Sequence, residues 1–526
     1  MSLYLNNGNR GFQISLNSEI YVDKTGLLKH LNRWINSPER FVCVSRARRF
    51  GKTLAAQMIE AYYCKSCDSR AMFEPFEIAK DPSFETHLNQ YDVISVDVQS
   101  FLLQGQDHKC FIERIKKDIG AELRQAWPKL SLKGMELPDM LATINDKTGE
   151  KFVIIIDEWD AIFRNYPDDT GTQLEWIHFL RDLFKQKTSE TYLALAYVTG
   201  ILPVKKYKTQ SSLNNFIEFT MLKPKALEPY VGFNEDEVHA LCDRYEMDKA
   251  EAAHWYDGYQ FKIEKHVYNP CSLVQAMRNQ DFGSYWTSTA SFESILDFIN
   301  ADLDGIYADV QMLIAGGRVS INTTSYDNSF TTPKCKDDAF TCLVHIGYLG
   351  YDVETSEVFI PNEEVRIAFK DALRVCNWPD AIKPWQRSQK FITAILSEDN
   401  ETVARLVEET HQNMTSIIAY NNENALACVI SVLCISIENK YIIIREMPSG
   451  KGFADIILLP KPRMMTPAIV IELKFKQDVK AAIDQIRENQ YPDRLKEFYG
   501  EVVLVGISYS KRKVHECFVE RFEREI

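Results

Sequence analysis

No apolar run in this sequence of 526 residues approaches the roughly 18 residues that a helix needs to cross a bilayer. The opening segment MSLYLNNGNRGF has neither the basic start nor the apolar stretch of a secretory leader. A cytoplasmic protein with no membrane partner is therefore expected. Internal repeats and low-complexity tracts are missing as well, which argues against solenoid, fibrous and linker-like architectures. The 12 cysteines lack a framework spacing, so they read as reduced core thiols rather than as a disulfide scaffold. Cys64 and Cys67 have the spacing of zinc ligands, but no matching second pair stands near them. An excess of positive charge is also absent: 61 basic residues face 74 acidic ones, for a net charge of −13. Any contact with nucleic acid must then use local basic patches. Arg46, Arg48 and Arg49 form one candidate; Lys511, Arg512 and Lys513 form another, which reads more simply as a solvated face.

What is present is enough apolar material, 45% of residues, to build about three ordinary domains at this length. The most informative stretch is FVCVSRARRFGKTLAAQMIEAYY, residues 41 to 63. An apolar strand, a basic loop and an Ala/Met/Ile-rich helix follow one another there. Gly51, Lys52 and Thr53 open the helix with what a phosphate chain requires: free backbone N–H groups, a lysine charge and a hydroxyl for Mg²⁺. The usual phosphate-loop spacing asks for glycine at position 46, where this chain has Arg46. With Arg48, Arg49 and Phe50, that residue completes the candidate nucleotide-binding loop.

Upstream, Asp23 is placed to cap a helix carrying Leu27, Leu28, Leu31 and Trp34. Downstream, residues 92 to 101 read as a strand, and 107 to 126 and 135 to 146 as helices. The run KFVIIIDEWD places a buried parallel strand at Phe152 to Ile156 with Asp157 and Glu158 at its C-terminal end, where open α/β sheets bind ligands. Asp157 is the candidate partner of Mg²⁺ and Glu158 the candidate to polarise an attacking water. A further strand, residues 192 to 202, ends near Thr199, a candidate sensor of the terminal phosphate. From 225 the pattern turns helical, with a capping box at Asn234 and Glu237 and a capped start at Asn269-Pro270. The segment WYDGYQF, 255 to 261, reads as packing and turn chemistry. Residues 339 to 370 read as helix, hairpin and helix, a small winged-helix-like connector.

The last region has the order α-β-β-β-α-β. Alternation along AIVIELKF puts Glu472 and Lys474 on one face and Leu473 on the other, with Asp455 at the start of the preceding strand able to join them. Two carboxylates holding a divalent cation beside a lysine suit hydrolysis of a phosphodiester.

On YVDKTGLL, SRARRFGKT, IIIDEWD, VTGI, WYDGYQF, VYNPCSL, IPNEEVR, FADIILLP and VIELKF, nearly the whole chain resembles a bacterial and archaeal group pairing an AAA-ATPase-like domain with a C-terminal PD-(D/E)XK-family nuclease domain. The resemblance implies an α/β chain in three parts: a P-loop NTPase domain over 1–224, a mostly helical connector over 225–400 and a restriction-endonuclease-like domain over 401–526. It makes Arg46 a feature of the group. It implies Lys52 and Thr53 on phosphate and Mg²⁺, Asp157 and Glu158 as the second acidic motif, and Asp455, Glu472 and Lys474 as the nuclease triad. Glu423 would be a supporting carboxylate and Gln485 the glutamine that often follows the triad. ATP and Mg²⁺ are the implied cofactors, and nucleic acid, DNA ahead of RNA, the implied partner. A homo-oligomer is compatible with it, although Lys205 and Lys206 stand where an arginine finger is sought after Thr199. A nucleotide-driven switch whose last domain binds without cutting is the rival reading, favoured by the acidic charge balance.

Overall fold

The computed structural model describes residues 3–103, 107–204, 213–286, 303–324, 326, 333–375, 382–413, 423–434, 437, 440–449, 452–461, 464, 466–488, 501–509 and 515–522. Its contacts divide the chain into two units, Met1–Ala290 with Ser320–Val365, and Ser291–Val319 with Arg366–Ile526. Among the described residues no helix is long and apolar enough to cross a membrane.

The first unit is built on a five-stranded sheet of β1 (Phe41–Ser45), β2 (Asp92–Asp97), β3 (Phe152–Asp157), β4 (Leu193–Gly200) and β5 (Ile217–Phe219). Their spatial order is β2-β3-β4-β1-β5, with every pair parallel. Strands buried on both faces become continuous apolar runs, as FVIII in β3 and LALAYV in β4 are. One face packs on the helices Phe111–Ala126, Leu137–Thr148 and Thr170–Phe184 through Ile115, Leu141, Trp176 and Leu180. The other packs on Leu27–Trp34 and Lys52–Tyr63 through Leu28, Leu31, Ile59 and Tyr62. The expected strand at 92–101 ends at Asp97, whose carboxylate accepts from the N–H groups of Gln99 and Ser100 and so starts the helix Val98–Leu103.

Asp23 does not cap the helix at Leu27. Its carboxylate accepts instead from the N–H of Thr25 at 2.8 Å and of Glu77 at 2.8 Å, tying two loops together. The capping box at Asn234 and Glu237 forms on the helix Glu235–Tyr245, and Asn269 caps Pro270–Asn279. These helices and Lys249–Tyr256 share a small core of Val238, Leu241, Tyr256 and Leu273. Two short strands, β6 (Phe233–Asn234) and β7 (Val267–Tyr268), pair antiparallel beside them. In WYDGYQF, Tyr259 is buried and donates to the Gly347 carbonyl at 2.6 Å, the packing role expected. Gly258, at φ +110°, lies so close to the Pro361 carbonyl that a Cβ would stand 1.9 Å from its oxygen. After β8 (Val319–Ser320) come the helix Lys336–Ile346, the hairpin of β9 (Gly350–Asp352) and β10 (Glu357–Phe359), and the helix Glu363–Val375, in the order expected for 339 to 370.

The second unit carries a five-stranded mixed sheet of β11 (Tyr441–Ser449), β12 (Gly452–Pro460), β13 (Ala468–Phe475), β14 (Val502–Tyr509) and β15 (His515–Phe522), in that spatial order. Only β13 and β14 run parallel, with the helix Val479–Glu488 in the chain between them. Ile457, Leu459, Ala468, Val470, Val502 and Leu504 form the apolar face that meets Ile483 and Ile486 of this helix. The helix Glu423–Leu433 precedes the sheet, so the expected α-β-β-β-α-β order is present. An edge strand, β15, follows it.

Candidate functional site

In the first unit, β1 delivers the chain into the loop at Arg46 and the helix Lys52–Tyr63 carries it away. Gly51 is the helix N-cap, at φ +76°, and a Cβ there would meet nothing within 4 Å. The space over this helix N-terminus is therefore open to an anion. Lys52 is buried, and its Nζ donates to the carbonyls of Arg46 at 3.3 Å and Ala47 at 3.2 Å. Burial lowers its pKa, and Glu158, 3.8 Å from Nζ, works against that. Thr53 is exposed beside it, and its hydroxyl hydrogen-bonds the Asp157 carboxyl. Asp157 ends β3; burial pushes its carboxyl up to about 6, while the Thr53 hydrogen bond pulls the other way.

Glu158 sits at φ +51° and its carboxylate is shared between Lys52 and Arg164. Arg164 also reaches Asp160 at 3.4 Å, and Asp160 accepts from the N–H groups of Ile201 and Leu202 at 3.1 and 2.9 Å. The structure thus brings Lys52, Thr53, Asp157 and Glu158 together at the C-terminal edge of the sheet. It adds Asp160 and Arg164, which sequence reasoning missed. Their spacing of four residues across a one-turn helix, Ala161–Asn165, was the available signal.

The rest of the loop divides by depth. Arg48 is exposed and Arg49, at φ +68°, is half-buried. Phe50 is buried and meets the Tyr259 ring edge-on at 5.1 Å, which pins the loop to the WYDGYQF segment. Arg46 is buried, its N–H donating to the Gly200 carbonyl at 3.0 Å, while Nε and Nη2 of its guanidinium find no hydrogen-bond partner. Thr199 is buried too, and its hydroxyl donates to the Val44 carbonyl at 2.9 Å, which commits that proton to the sheet. Beside the loop opens a cavity of about 330 Å³ lined by Tyr21, Lys24, Arg46, Gly51, Met58 and Val274, among others. That volume falls in the range of small-molecule sites. Lys205 and Lys206 lie outside the described residues.

In the second unit, Ile456 of β12 faces Ile471 of β13, so the next antiparallel positions are Asp455 and Glu472. One Asp455 carboxylate oxygen accepts from the Leu473 N–H at 2.7 Å. Glu472 and Lys474 are both buried and meet at 3.1 Å, Nζ donating to Oε1. All three side chains belong to the sheet face that packs on the helix Val479–Glu488, beyond the end of its apolar patch. Gly506 pairs with Glu472 and lies so close under that helix that a Cβ would stand 3.0 Å from the Val479 carbonyl oxygen. Gln485 is half-buried on the same helix. Glu423 opens the helix Glu423–Leu433, but its side chain lies outside the described residues, as do Lys511, Arg512 and Lys513.

Both donor sets fit divalent metal. A hydroxyl with a carboxylate at a phosphate-loop helix, and two carboxylates on neighbouring strands, are the hard oxygen ligands that Mg²⁺ takes.

No curated protein matches the chain. Among solved structures, the Aeropyrum pernix ORC2 protein in its ADPNP–ADP complexes is 11% identical over 70% of this chain and 98% of that one, with a TM-score of 0.29. AMPPCP-bound DnaA from Aquifex aeolicus is 10% identical over 78% and 94%, with a TM-score of 0.26. Likeness on that scale carries neither ligand nor activity across. Family models match more specifically: residues 11–209 fit the one described as predicted AAA-ATPase, and residues 421–518 fit the PD-(D/E)XK nuclease superfamily. The chain joins a predicted AAA-ATPase domain at its N-terminus to a PD-(D/E)XK nuclease superfamily domain at its C-terminus.

Proposed function

We propose that the first unit binds and hydrolyses ATP, that the second cleaves phosphodiester bonds in nucleic acid, DNA ahead of RNA, and that nucleotide state governs cleavage. The observation that carries the reading is that each unit gathers its own lysine and carboxylates at one place, Lys52 with Asp157 and Glu158 from far along the sequence, and Glu472 and Lys474 with Asp455 from the neighbouring strand. In the first, Lys52 would exchange its two carbonyl partners for phosphate oxygens, which accept from a cation more strongly than a neutral carbonyl does. The cavity beside the loop would take the nucleoside. Thr53 and Asp157 would hold magnesium, which when bound neutralises phosphate charge. Glu158 would orient the attacking water, held in place by Arg164.

In the second, Asp455 and Glu472 would hold a divalent cation, which when bound stabilises charge on the scissile phosphate. Lys474 would orient and activate the water, with its charge kept by Glu472. Gln485 and Glu423 would support the site from the flanking helices. Pairing a buried lysine with a carboxylate at a strand end costs desolvation energy that a purely structural sheet avoids.

The test assays the purified protein twice: for Mg²⁺-dependent ATP hydrolysis, and for cleavage of labelled single- and double-stranded DNA and RNA with Mg²⁺ or Mn²⁺. Hydrolysis lost in Lys52→Ala and cleavage lost in Asp455→Ala would support both assignments. Nucleotide binding without cleavage of any substrate would replace the nuclease with a binding switch.

A further inference from the structure

At the position where the usual phosphate loop has glycine, Arg46 brings a charged side chain to the wall of the cavity beside the loop, and the steps of ATP hydrolysis derived above give it no task. The residue is 3% exposed. Its Nε and Nη2 have no hydrogen-bond partner. Burial works against the guanidinium charge, and the group that favours it is the Tyr197 phenol. Burial pushes that phenol up to about 12, so it stays neutral and supplies no counter-charge. The other cations on the wall are provided for. Lys24 Nζ meets Glu237 at 2.7 Å and donates to the Pro229 carbonyl at 2.8 Å. Arg278 donates to the Ser18 hydroxyl at 2.9 Å and Arg49 to the Trp286 carbonyl at 3.4 Å.

Among the described residues no aspartate or glutamate lines the cavity, in a chain whose net charge is −13. The Tyr21 hydroxyl, also on the wall, is another buried group without a hydrogen-bond partner. Burial lowers the Lys24 pKa, Glu237 opposes that, and the Arg46 charge adds to it, so two cations repel each other here. Burying a cation without compensation is costly. What the cavity lacks is an anion. Nε and Nη2 share one edge of the guanidinium, and their parallel N–H bonds fit two oxygens of one phosphate. The 5′ phosphates of a nucleotide have their place at Lys52 instead. Burial lowers the Lys52 pKa, and the charges that act most on it are Glu158, Asp160, Asp157 and Arg164, not Arg46.

We propose, building on the reading of this cavity as the nucleoside pocket, that it takes a nucleotide phosphorylated on its ribose as well as at the 5′ position, and that Arg46 grips the ribose phosphate through Nε and Nη2. An adenosine moiety without that phosphate fills the same space and leaves the Arg46 charge uncompensated. A ribose phosphate supplies both acceptors, neutralises Arg46 and relieves its repulsion of Lys24. Such a nucleotide with no γ-phosphate occupies the site and is not hydrolysed, so it acts as an inhibitor that competes with ATP.

Isothermal titration calorimetry on the full-length protein, with Mg²⁺ at fixed ionic strength, compares AMP, adenosine 2′,5′-bisphosphate, adenosine 3′,5′-bisphosphate, GMP and ATP. One of the two bisphosphates is expected to bind about tenfold more tightly than AMP, the worth of a charge-assisted pair of hydrogen bonds, and to inhibit ATP hydrolysis competitively. In Arg46→Met that advantage over AMP should disappear, and Arg46→Lys, which keeps the charge but not the fork, should restore only part of it. Near-UV circular dichroism checks the fold of both variants, and the wild-type series decides by itself where a variant does not fold. Bisphosphates no tighter than AMP in the wild type would overturn the proposal, as would an advantage that survives in Arg46→Met. So would a preference for GMP over AMP that needs Arg46, which would give its donors to the O6 and N7 edge of guanine. ATP bound with no gain from a ribose phosphate overturns this proposal alone, whereas no binding of any nucleotide overturns the ATP site as well.

Discussion

Lys52, Glu158 and Arg164 form a chain of charges in which each member limits its neighbours. Lys52 is buried, and nucleotide would give it anionic partners in place of carbonyls. Replacing it with alanine is expected to weaken ATP binding by about 100-fold, the loss of charge-assisted hydrogen bonds, as read by calorimetric titration. Arg164 balances Glu158 and the fully buried Asp160. Arg164→Ala leaves Asp160 uncompensated and is expected to cost about 3 kcal/mol of stability, seen as a lower thermal midpoint. Arg164→Lys should recover part of it. Lys52, Thr53, Asp157 and Glu158 were legible because each belongs to a contiguous motif. Arg164 was legible only through its four-residue spacing from Asp160, since its reach to Glu158 depends on the left-handed turn there, which no local pattern announces. The committed hydroxyl of Thr199 and the Arg46 Nε and Nη2 left without a hydrogen-bond partner likewise depend on how β1 and β4 pack.

At the scale of the element, the helix Lys52–Tyr63 joins the phosphate-loop edge to the buried acid Glu60. Burial pushes the folded-state pKa of Glu60 up to about 8, above the usual 4.5 of a glutamate carboxyl. Its favourable contribution is therefore complete below pH 4.5 and is lost as pH rises through about 8. Wild type should lose on the order of 1 kcal/mol per pH unit relative to Glu60→Gln within that window. Thermal midpoints of the two proteins measured from pH 5 to 8 check this, and parallel pH curves would contradict it. Helices with caps or strong amphipathic stripes, such as Glu235–Tyr245 and Phe111–Ala126, were legible from pattern alone. The three residues of β5 are too few to show a period. In β15, His-Glu-Cys-Phe-Val-Glu-Arg-Phe alternates weakly because an edge strand keeps much of itself in water. Asp23 resembled a cap, yet distant Glu77 competed for its carboxylate and won.

At the scale of the whole molecule, two units each hold one candidate site, and a net charge of −13 confines any contact with nucleic acid to local surfaces. The α/β class and the order of elements around both sites were legible because buried strands and helix starts leave strong local marks. The division of the chain is not local: residues 320 to 365 belong with the first unit although residues of the second precede and follow them. Contacts between segments so far apart leave no periodic trace.

The proposed function requires that one chain carry an ATP site and a nuclease site whose actions are linked. The most direct measurement is the rate of cleavage of labelled DNA with Mg²⁺, with and without ATP, for wild type, Lys52→Ala and Asp455→Ala. ATP is expected to change the wild-type rate, Lys52→Ala to cut at a rate indifferent to ATP, and Asp455→Ala not to cut. Equal wild-type rates with and without ATP, or cleavage that survives in Asp455→Ala, would contradict it.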